Sequence, residues 1–364
     1  TARVSKGAKF MSGTYTVRLQ PVGVEFEVEE DETVLEAAFR QGIALPHGCK
    51  EGQCSACKCV LTEGDVELKK YSTFALNEME RGQDHILLCR TLAYSDLEIE
   101  LLNYDEELLS KSIPVRAFEG TVVGVEALTH DIRRLEIAPD QPLKFWAGQY
   151  VDITLPGEEG ITRSFSMANT PGAAQNLAFI IKKYPNGRFS SRLDGGIAAG
   201  SRVGIKGPYG TCFRREGRSG ALILVGGGSG MSPLWSIFND HLESGEDRDV
   251  HFFYGARTVR DLFYLAAFAA IARANPRVNF VPVLSHAEEG DGWAGERGFV
   301  HEVVGAHLRR LDLGEDADVY ACGPAPMIEA LTPVLQMSDI DSERIHFDKF
   351  TPSNSGEIAL AVGR

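Results

Sequence analysis

The chain has 364 residues, enough for two or three domains. Hydrophobic residues make up 43% and charged residues 24%, a composition that excludes a disordered or collagen-like chain. With 37 Lys and Arg against 51 Asp and Glu the formal charge is −14, which argues against a nucleic-acid binder and permits an acidic docking surface for a basic protein partner.

No apolar run reaches the roughly 18 residues of a bilayer span. The first residues, with Thr1, Arg3, Lys6 and Lys9, precede no apolar signal-peptide core. The seven cysteines cluster rather than spread, which points to a metal in a reducing compartment, so a cytoplasmic protein is expected.

Residues 14–30 alternate near period two, through Val17, Leu19, Val22, Val24, Phe26 and Val28, around a turn at 21–23. That predicts a β-hairpin. Thr33 then caps a short predicted helix over 34–40 that ends at Gly42. Cys49, Cys54 and Cys57 follow in C-x4-C-x2-C spacing, and Cys89 comes after 31 intervening residues. The plant-type [2Fe–2S] pattern has this spacing and a distant fourth cysteine. Two irons take four thiolates, and Gly48, Gly52, Ser55 and Ala56 give the loop room to turn its N–H groups toward sulfur. The competing reading, structural zinc, usually pairs C-x2-C with a second C-x2-C or H-x3–5-H, and neither His47 nor His85 has that spacing. Cys59 alternates with Lys58 and Val60 and reads as a packing thiol.

Leu97, Ile99 and Leu101 form another alternating run, and the charged stretch 105–114, broken at Pro114, reads as a linker. Residues 1–105 carry 11 Lys and Arg against 18 Asp and Glu, half of the net charge on less than a third of the chain.

From 115 to about 215 the pattern is β throughout, with short alternating runs at 120–125, 133–137, 150–155, 177–181 and 202–205 between Gly/Pro turns. Their spacing predicts a small antiparallel barrel. Within it stands Arg163-Ser164-Phe165-Ser166: an Arg to neutralise a pyrophosphate, an aromatic to lie beside a flavin, a hydroxyl to bond the ring. Gly187-Arg188-Phe189-Ser190 offers backbone N–H groups and a hydroxyl to phosphate, at an expected helix N-terminus. Gly207-Pro208-Tyr209-Gly210 makes a turn. Taken singly, each of these is equally an ordinary barrel turn.

The pattern then changes. A continuous apolar run at 221–225 leads into Gly226, Gly227, Gly228, Ser229 and Gly230, with a predicted helix over 233–242. Predicted strands at 250–254, 278–284 and 318–321 alternate with predicted helices at 262–273, 299–308 and 326–336, which means a parallel sheet. The glycine run lets backbone approach a pyrophosphate at a helix start. It is neither a G-x-G-x-x-G fingerprint nor a P-loop. Cys322, with Gly323 and Pro324, ends a strand at the expected ligand crevice, where a thiol reads as functional rather than as a small buried hydrophobe.

These motifs in this order resemble the reductase components of soluble diiron monooxygenases, members of the ferredoxin–NADP reductase superfamily with a plant-type ferredoxin fused at the N-terminus. The resemblance runs from about Tyr15 to Phe350. It implies a multidomain α+β and α/β chain: a β-grasp [2Fe–2S] ferredoxin domain over 12–105, an antiparallel β-barrel FAD domain over 113–216, a Rossmann-like parallel α/β NAD domain over 218–350, and a C-terminal tail over 351–364. Cys49, Cys54, Cys57 and Cys89 match the cluster ligands. Arg163, Ser164, Phe165 and Ser166 match the flavin motif R-x-Y-S, with Phe for Tyr. Ile180, Ile181 and Lys182 match the strand bordering FAD, and Gly187, Arg188, Phe189 and Ser190 its second phosphate loop. Gly227, Gly228, Ser229, Gly230 and Met231 match the pyridine-nucleotide loop. Cys322, Gly323 and Pro324 match C-G-P near the nicotinamide. Asp348-Lys349-Phe350 resembles the E-K-F ending, whose aromatic covers the flavin. Ser166, Cys322 and Phe350 are the expected catalytic set. Arg257 and Arg260, with Asp261 adjacent, lie where nucleotide choice is made, and NADH is expected as in most of the family. Cys212 reads as a barrel thiol, with a covalent flavin link as the alternative.

The implied activity is electron transfer from NADH to FAD to the [2Fe–2S] cluster and on to the hydroxylase, by a monomer with no nucleic-acid or membrane partner. A ferredoxin reductase serving a separate carrier is disfavoured, because the carrier is already fused, and two other readings stay open on these residues. One is the reductase of a Rieske aromatic-ring dioxygenase, with the same domain order. The other, of a different class, is a redox-sensing module that holds the cofactors without turnover, against which the intact Cys322 and glycine run argue.

Overall fold

The computed structural model describes residues 13–157, 160–172, 176–311, 313 and 315–350, so the expected tail at 351–364 lies outside the described residues. The chain forms two compact units, one comprising 13–117 with 207–211, the other 118–206 with the residues from 212 onward.

In the first unit, β1 (Thr14–Gln20) and β2 (Val24–Glu29) make the expected antiparallel hairpin, with Val17, Leu19, Phe26 and Val28 buried. Thr33 caps α1 (Val34–Arg40) through a reciprocal box: the Thr33 hydroxyl accepts from the Glu36 amide, and Glu36 accepts from the Thr33 amide at 2.9 Å. Then come β3 (Lys58–Glu63), β4 (Val66–Leu68), α2 (Glu78–Arg81), β5 (His85–Leu87), β6 (Thr91–Ala93) and β7 (Leu97–Leu101). The main sheet runs β2-β1-β7-β3-β5, with β1 parallel to β7 and its other pairs antiparallel. A mixed sheet with one helix packed on it is the expected β-grasp. The stretch 105–114, expected as a linker, holds a short helix, α3 (Glu106–Ser110). Asp105 caps it by accepting from the Leu108 amide at 3.0 Å, acidic residues fill the first turn, and Leu108 is buried.

In the second unit, β8 (Arg116–Ala127), β9 (Ile132–Pro139), β10 (Tyr150–Leu155), β11 (Ile161–Ser166), β12 (Leu177–Lys182) and β13 (Arg202–Tyr209) form a sheet ordered β11-β10-β13-β8-β9-β12. Its two edge strands meet through an antiparallel bridge between Met167 and Phe179, which closes the sheet on itself as a barrel. Inward-facing Val122, Leu135, Ile137, Val151, Ile153, Phe179 and Ile205 fill it.

The remainder alternates strand and helix: β14 (Leu222–Gly227), α4 (Met231–Ser244), β15 (Val250–Ala256), α5 (Leu265–Ala274), β16 (Val278–Leu284), β17 (Glu296–Arg297), α6 (Val300–Leu308), β18 (Asp318–Pro324), α7 (Ala325–Gln336) and β19 (Ile345–Phe350). The sheet is parallel and ordered β17-β16-β15-β14-β18-β19. β14, first in the chain, lies centrally between β15 and β18, so the topological switch point falls at its C-terminal end. Both faces are covered, which is why the strand reads as an unbroken apolar run. Leu222 and Leu224 pack with Phe238, Phe252 and Phe268 on one face, and Ile223 and Val225 with Val304, Leu331 and Leu335 on the other. Ala168, Ala178, Ile180 and Cys212 of the barrel share the first of these cores. α5 starts later than the apolar pattern at 262 because Tyr264 takes a left-handed backbone, φ 59°. β19 was not expected as a strand.

Candidate functional site

The four spaced cysteines sit in a loop turned by positive-φ residues Lys50, Gly52 and Ser55. At Gly52, φ is 70°, and a Cβ would lie 2.9 Å from the Tyr71 Cβ and 2.8 Å from the Arg90 side chain, so the position needs glycine. The turns aim amides at sulfur: Gln53 N donates to Cys49 Sγ at 3.1 Å, Glu51 N to Cys49 Sγ at 3.4 Å, and Cys49 N to Cys54 Sγ at 3.2 Å. The thiols form two pairs. Cys57 and Cys89 have their sulfurs 3.3 Å apart and are buried, and the Cys54 thiol donates to Cys49, both half-buried.

Each pair holds one proton unevenly. The Cys54 thiol and the amides of Glu51 and Gln53 bring Cys49 down to about 5, and the hydrogen bond shared with Cys89 lowers Cys57. Their partners Cys54 and Cys89 are pushed well up by the same shared hydrogen bonds and by burial. Full ionisation of all four therefore needs compensating positive charge, which a two-iron centre would bring. Arg90, beside Cys89 and packed on Gly52, buries an Nε–H with no hydrogen-bond partner, a donor that suits a sulfide. The donor set fits the group. Cys59, inside β3 opposite Leu101 and Ile86, is pushed to about 12 by burial and sits in the core.

In the barrel, β11 carries Arg163-Ser164-Phe165-Ser166 opposite β10, in the register Ile153↔Arg163 and Tyr150↔Ser166. Arg163 and Phe165 are half-buried; Ser164 points away and donates to Asp152 at 2.6 Å. The Phe165 and Phe189 rings, centroids 4.7 Å apart, bring the two flavin motifs together. Phe189 and Ile181 themselves lie in the barrel core, Ile180 in the core shared with α4, and Lys182 pairs with Asp131 at 3.1 Å. The segment 187–190 does not open an α-helix as expected. It leads into a single 3-10 turn, Ser190–Asp194, whose Asp194 pairs with Arg133 at 2.9 Å and with Lys183. Arg188 is exposed, Gly187 half-exposed, and the Ser190 hydroxyl accepts from the Tyr184 amide at 3.1 Å.

The glycine run continues β14 into a 3-10 turn, Gly228–Gly230, and then α4. A Cβ on Gly230 would strike the Cys322 carbonyl, so glycine there permits the helix start to approach β18. Gly228 and Ser229 are half-exposed, while Gly227 and Met231 are buried. This is a ready anion site at the end of a 14-residue helix.

Cys322 pairs with Gly226 on one side and Asp348 on the other, so the C-terminal ends of β14, β18 and β19 converge at the switch point. The thiol does not face an open crevice as expected. It is fully buried, 3.9 Å from Cys212 Sγ, and burial and Cys212 push it well above an ordinary thiol. Burial also pushes Asp348 up to about 6. Phe350 ends β19, half-buried, opposite Pro324. Arg257 and Arg260 are exposed, and Asp261 is held as a cap by the Thr258 amide and hydroxyl, both at 2.8 Å.

One residue was missed. The buried Ser232 hydroxyl, in the first turn of α4, donates to the Ser166 carbonyl at 2.7 Å and accepts from the Ile180 amide at 3.1 Å. It ties the helix of the glycine run to both flavin-motif strands. The only signal was a serine two residues after that run.

Three family models match successive stretches of the chain. They are the 2Fe-2S iron-sulfur cluster binding domain over 17–94, the oxidoreductase FAD-binding domain over 119–213 and the oxidoreductase NAD-binding domain over 224–332. The reductase component of propane 2-monooxygenase from Rhodococcus jostii (strain RHA1) is 44% identical over 93% of this chain and 91% of its own length. Among solved structures, the Amycolatopsis cytochrome P450 reductase GcoB superposes with a TM-score of 0.82 at 32% identity, covering 93% of this chain and 99% of that one. The ferredoxin reductase in carbazole 1,9a-dioxygenase superposes with a TM-score of 0.75 at 31% identity, covering 94% and 100%.

Proposed function

Since the chain belongs to the family of reductase components of multicomponent monooxygenases, with [2Fe–2S], FAD and NAD domains in series, we propose that it delivers electrons from NADH to the hydroxylase of a diiron monooxygenase acting on a hydrocarbon or aromatic substrate. The observation that carries this reading is the Ser232 hydroxyl, which joins the glycine-run helix to β11 and β12 and so supports hydride transfer between a nucleotide and a flavin held on one body. Bound here, FAD would supply hydride acceptance from NADH and the cluster single-electron relay.

The chain's own part is to bind, orient and exclude. Arg163 neutralises the FAD pyrophosphate, with Gly187 to Ser190 as a second phosphate contact. Phe165 packs on the flavin, and Ser166 lies by its reacting edge. Ile180 and Lys182 border it. Gly227 to Met231 receive the NADH pyrophosphate at the N-terminus of α4. Cys322, fully buried at the switch point, would act with Gly323 and Pro324 by holding the strand end that orients the nicotinamide, and Phe350 would cover the flavin until the nicotinamide arrives. Arg257 lies on the adenosine side. Cys49, Cys54, Cys57 and Cys89 hold the cluster. We assign the ferredoxin domain to 12–105, the flavin domain to 113–216, the nucleotide domain to 218–350 and a tail to 351–364. We assign a monomer working in the cytoplasm, in keeping with the clustered cysteines of the sequence, and no described helix is long and apolar enough to cross a membrane.

The likeness to the carbazole dioxygenase reductase supports a second reading, delivery to a Rieske dioxygenase. The higher identity to the propane monooxygenase component favours the first. An anaerobic NADH titration of the purified protein, with NADPH in parallel, tests the reading. Stoichiometric bleaching of the flavin band and then of the iron–sulfur band by NADH is expected. Chromophores that stay oxidised with NADH but are reduced by dithionite would overturn it. Turnover of candidate hydroxylases then separates the two acceptors.

A further inference from the structure

Beside the cluster loop, the segment 71–81 holds two large apolar side chains out in solvent: Phe74 is 96% exposed and Met79 72%. Their exposure is built in. Ala75 and Leu76, between them, are buried, and the amides of both bond back to the Ser72 carbonyl at 2.9 and 3.2 Å. With Ala75 and Leu76 pinned inward, Phe74 is held outward. Asn77 then caps α2 in a reciprocal box with Glu80, which fixes Met79 in the first turn.

The platform is fastened to the cluster loop at both ends. Ser72 N donates to the Gly52 carbonyl at 2.9 Å, between Cys49 and Cys54. At the other end Glu80 pairs with Lys58, the residue after Cys57, at 2.6 Å. Glu51, Glu78 and Asp84 are exposed in its chain neighbourhood beside the basic Lys70 and Arg81, within a stretch of chain, 1–105, that holds 18 acidic residues against 11 basic ones. An aromatic with a methionine, standing proud in an acidic field and rigidly tied to the redox centre, is the composition of an interface anchor.

Resting on the outward-transfer reading above, we propose that Phe74 and Met79 form the docking patch by which the ferredoxin unit seats on its acceptor oxygenase, a protein that presents an apolar pocket within a basic rim. Charge brings the partners together and the two apolar side chains fix the seat.

The test uses the holoprotein with cytochrome c, a basic haem protein, as the acceptor probe. Phe74→Ala is expected to lower the kcat/KM for cytochrome c reduction at least fivefold at low salt. NADH-driven reduction of ferricyanide, and of the protein's own cluster in stopped flow, should stay unchanged, and Phe74→Tyr should retain most of the wild-type rate. Met79→Ala is expected to act in the same direction, more weakly. Unchanged cytochrome c reduction in both alanine variants overturns the proposal. So does slower reduction of the internal cluster, which would make the patch an internal electron-transfer contact. A wild-type protein whose reduced cluster passes nothing to cytochrome c overturns the outward-transfer reading itself, and the patch with it.

Discussion

The sulfurs of Cys212 and Cys322, 110 residues apart in sequence, lie 3.9 Å from one another in a buried setting. Only Cys322 stands on the strand end that meets β14 and β19. Cys322→Ala is therefore expected to slow flavin reduction by NADH about 10- to 100-fold, about 1.4–2.7 kcal/mol of barrel-to-nucleotide alignment. Cys212→Ala should change it less than about threefold, a fraction of a kcal/mol. Stopped-flow at the flavin band measures both. With Cys212 enclosed against Cys322, acid precipitation is expected to release all of the flavin.

Ser232→Ala removes two buried hydrogen bonds at once and strands the Ser166 carbonyl and the Ile180 amide. The expected loss of stability is about 1–3 kcal/mol, seen as a lower urea midpoint at constant m. FAD should bind more weakly in the same variant, by fluorescence titration.

Cys57→Ser takes one thiolate from the buried pair with Cys89. The cluster's visible band and its reduced EPR signal are expected to vanish while flavin content holds. NADH-driven ferricyanide reduction should persist and delivery to a protein acceptor should stop. Loss of the flavin as well would contradict the assignment of separate sites.

Asp348 gives a pH dependence. Its folded pKa, about 6, lies above its ordinary 3.8 because burial penalises the charge. The folded state thus binds this proton more tightly than the unfolded state does. The stabilisation is complete below about pH 4 and is lost as pH rises through 6. Asp348→Asn, neutral throughout, should remove that slope. The stability difference between variant and wild type is expected to shift in favour of the variant by on the order of 2–3 kcal/mol from pH 4 to 7.5. Urea unfolding at the two pH values checks it.

What sequence made legible was local. The cysteine spacing, the glycine run and the capping of α1 by Thr33 are short-range chemistry, and each stands where it was expected. The unbroken apolar run of β14 announced a strand covered on both faces. Ser232 was not legible because its partners lie 66 and 52 residues away. The burial of Cys322 depends on Cys212 and on β19, and neither neighbour is written in the C-G-P motif. β19 itself alternates only weakly, as an edge strand with exposed Phe347 and Lys349. The helix at 106–110 was masked by its charge, since a charged stretch ahead of a proline looks like a spacer until Leu108 is seen to be buried.

The core that Ala168, Ala178, Ile180 and Cys212 share with Leu234, Ile237 and Phe238 bears on how such chains can be recombined. A crossover near residue 217 would pair side chains shaped for one helix with a stranger's, and overpacking or voids there cost about 1–3 kcal/mol apiece. The flavin and nucleotide halves are thus expected to be inherited as one block. A graft that changes the nucleotide half has to bring the barrel's share of that core with it.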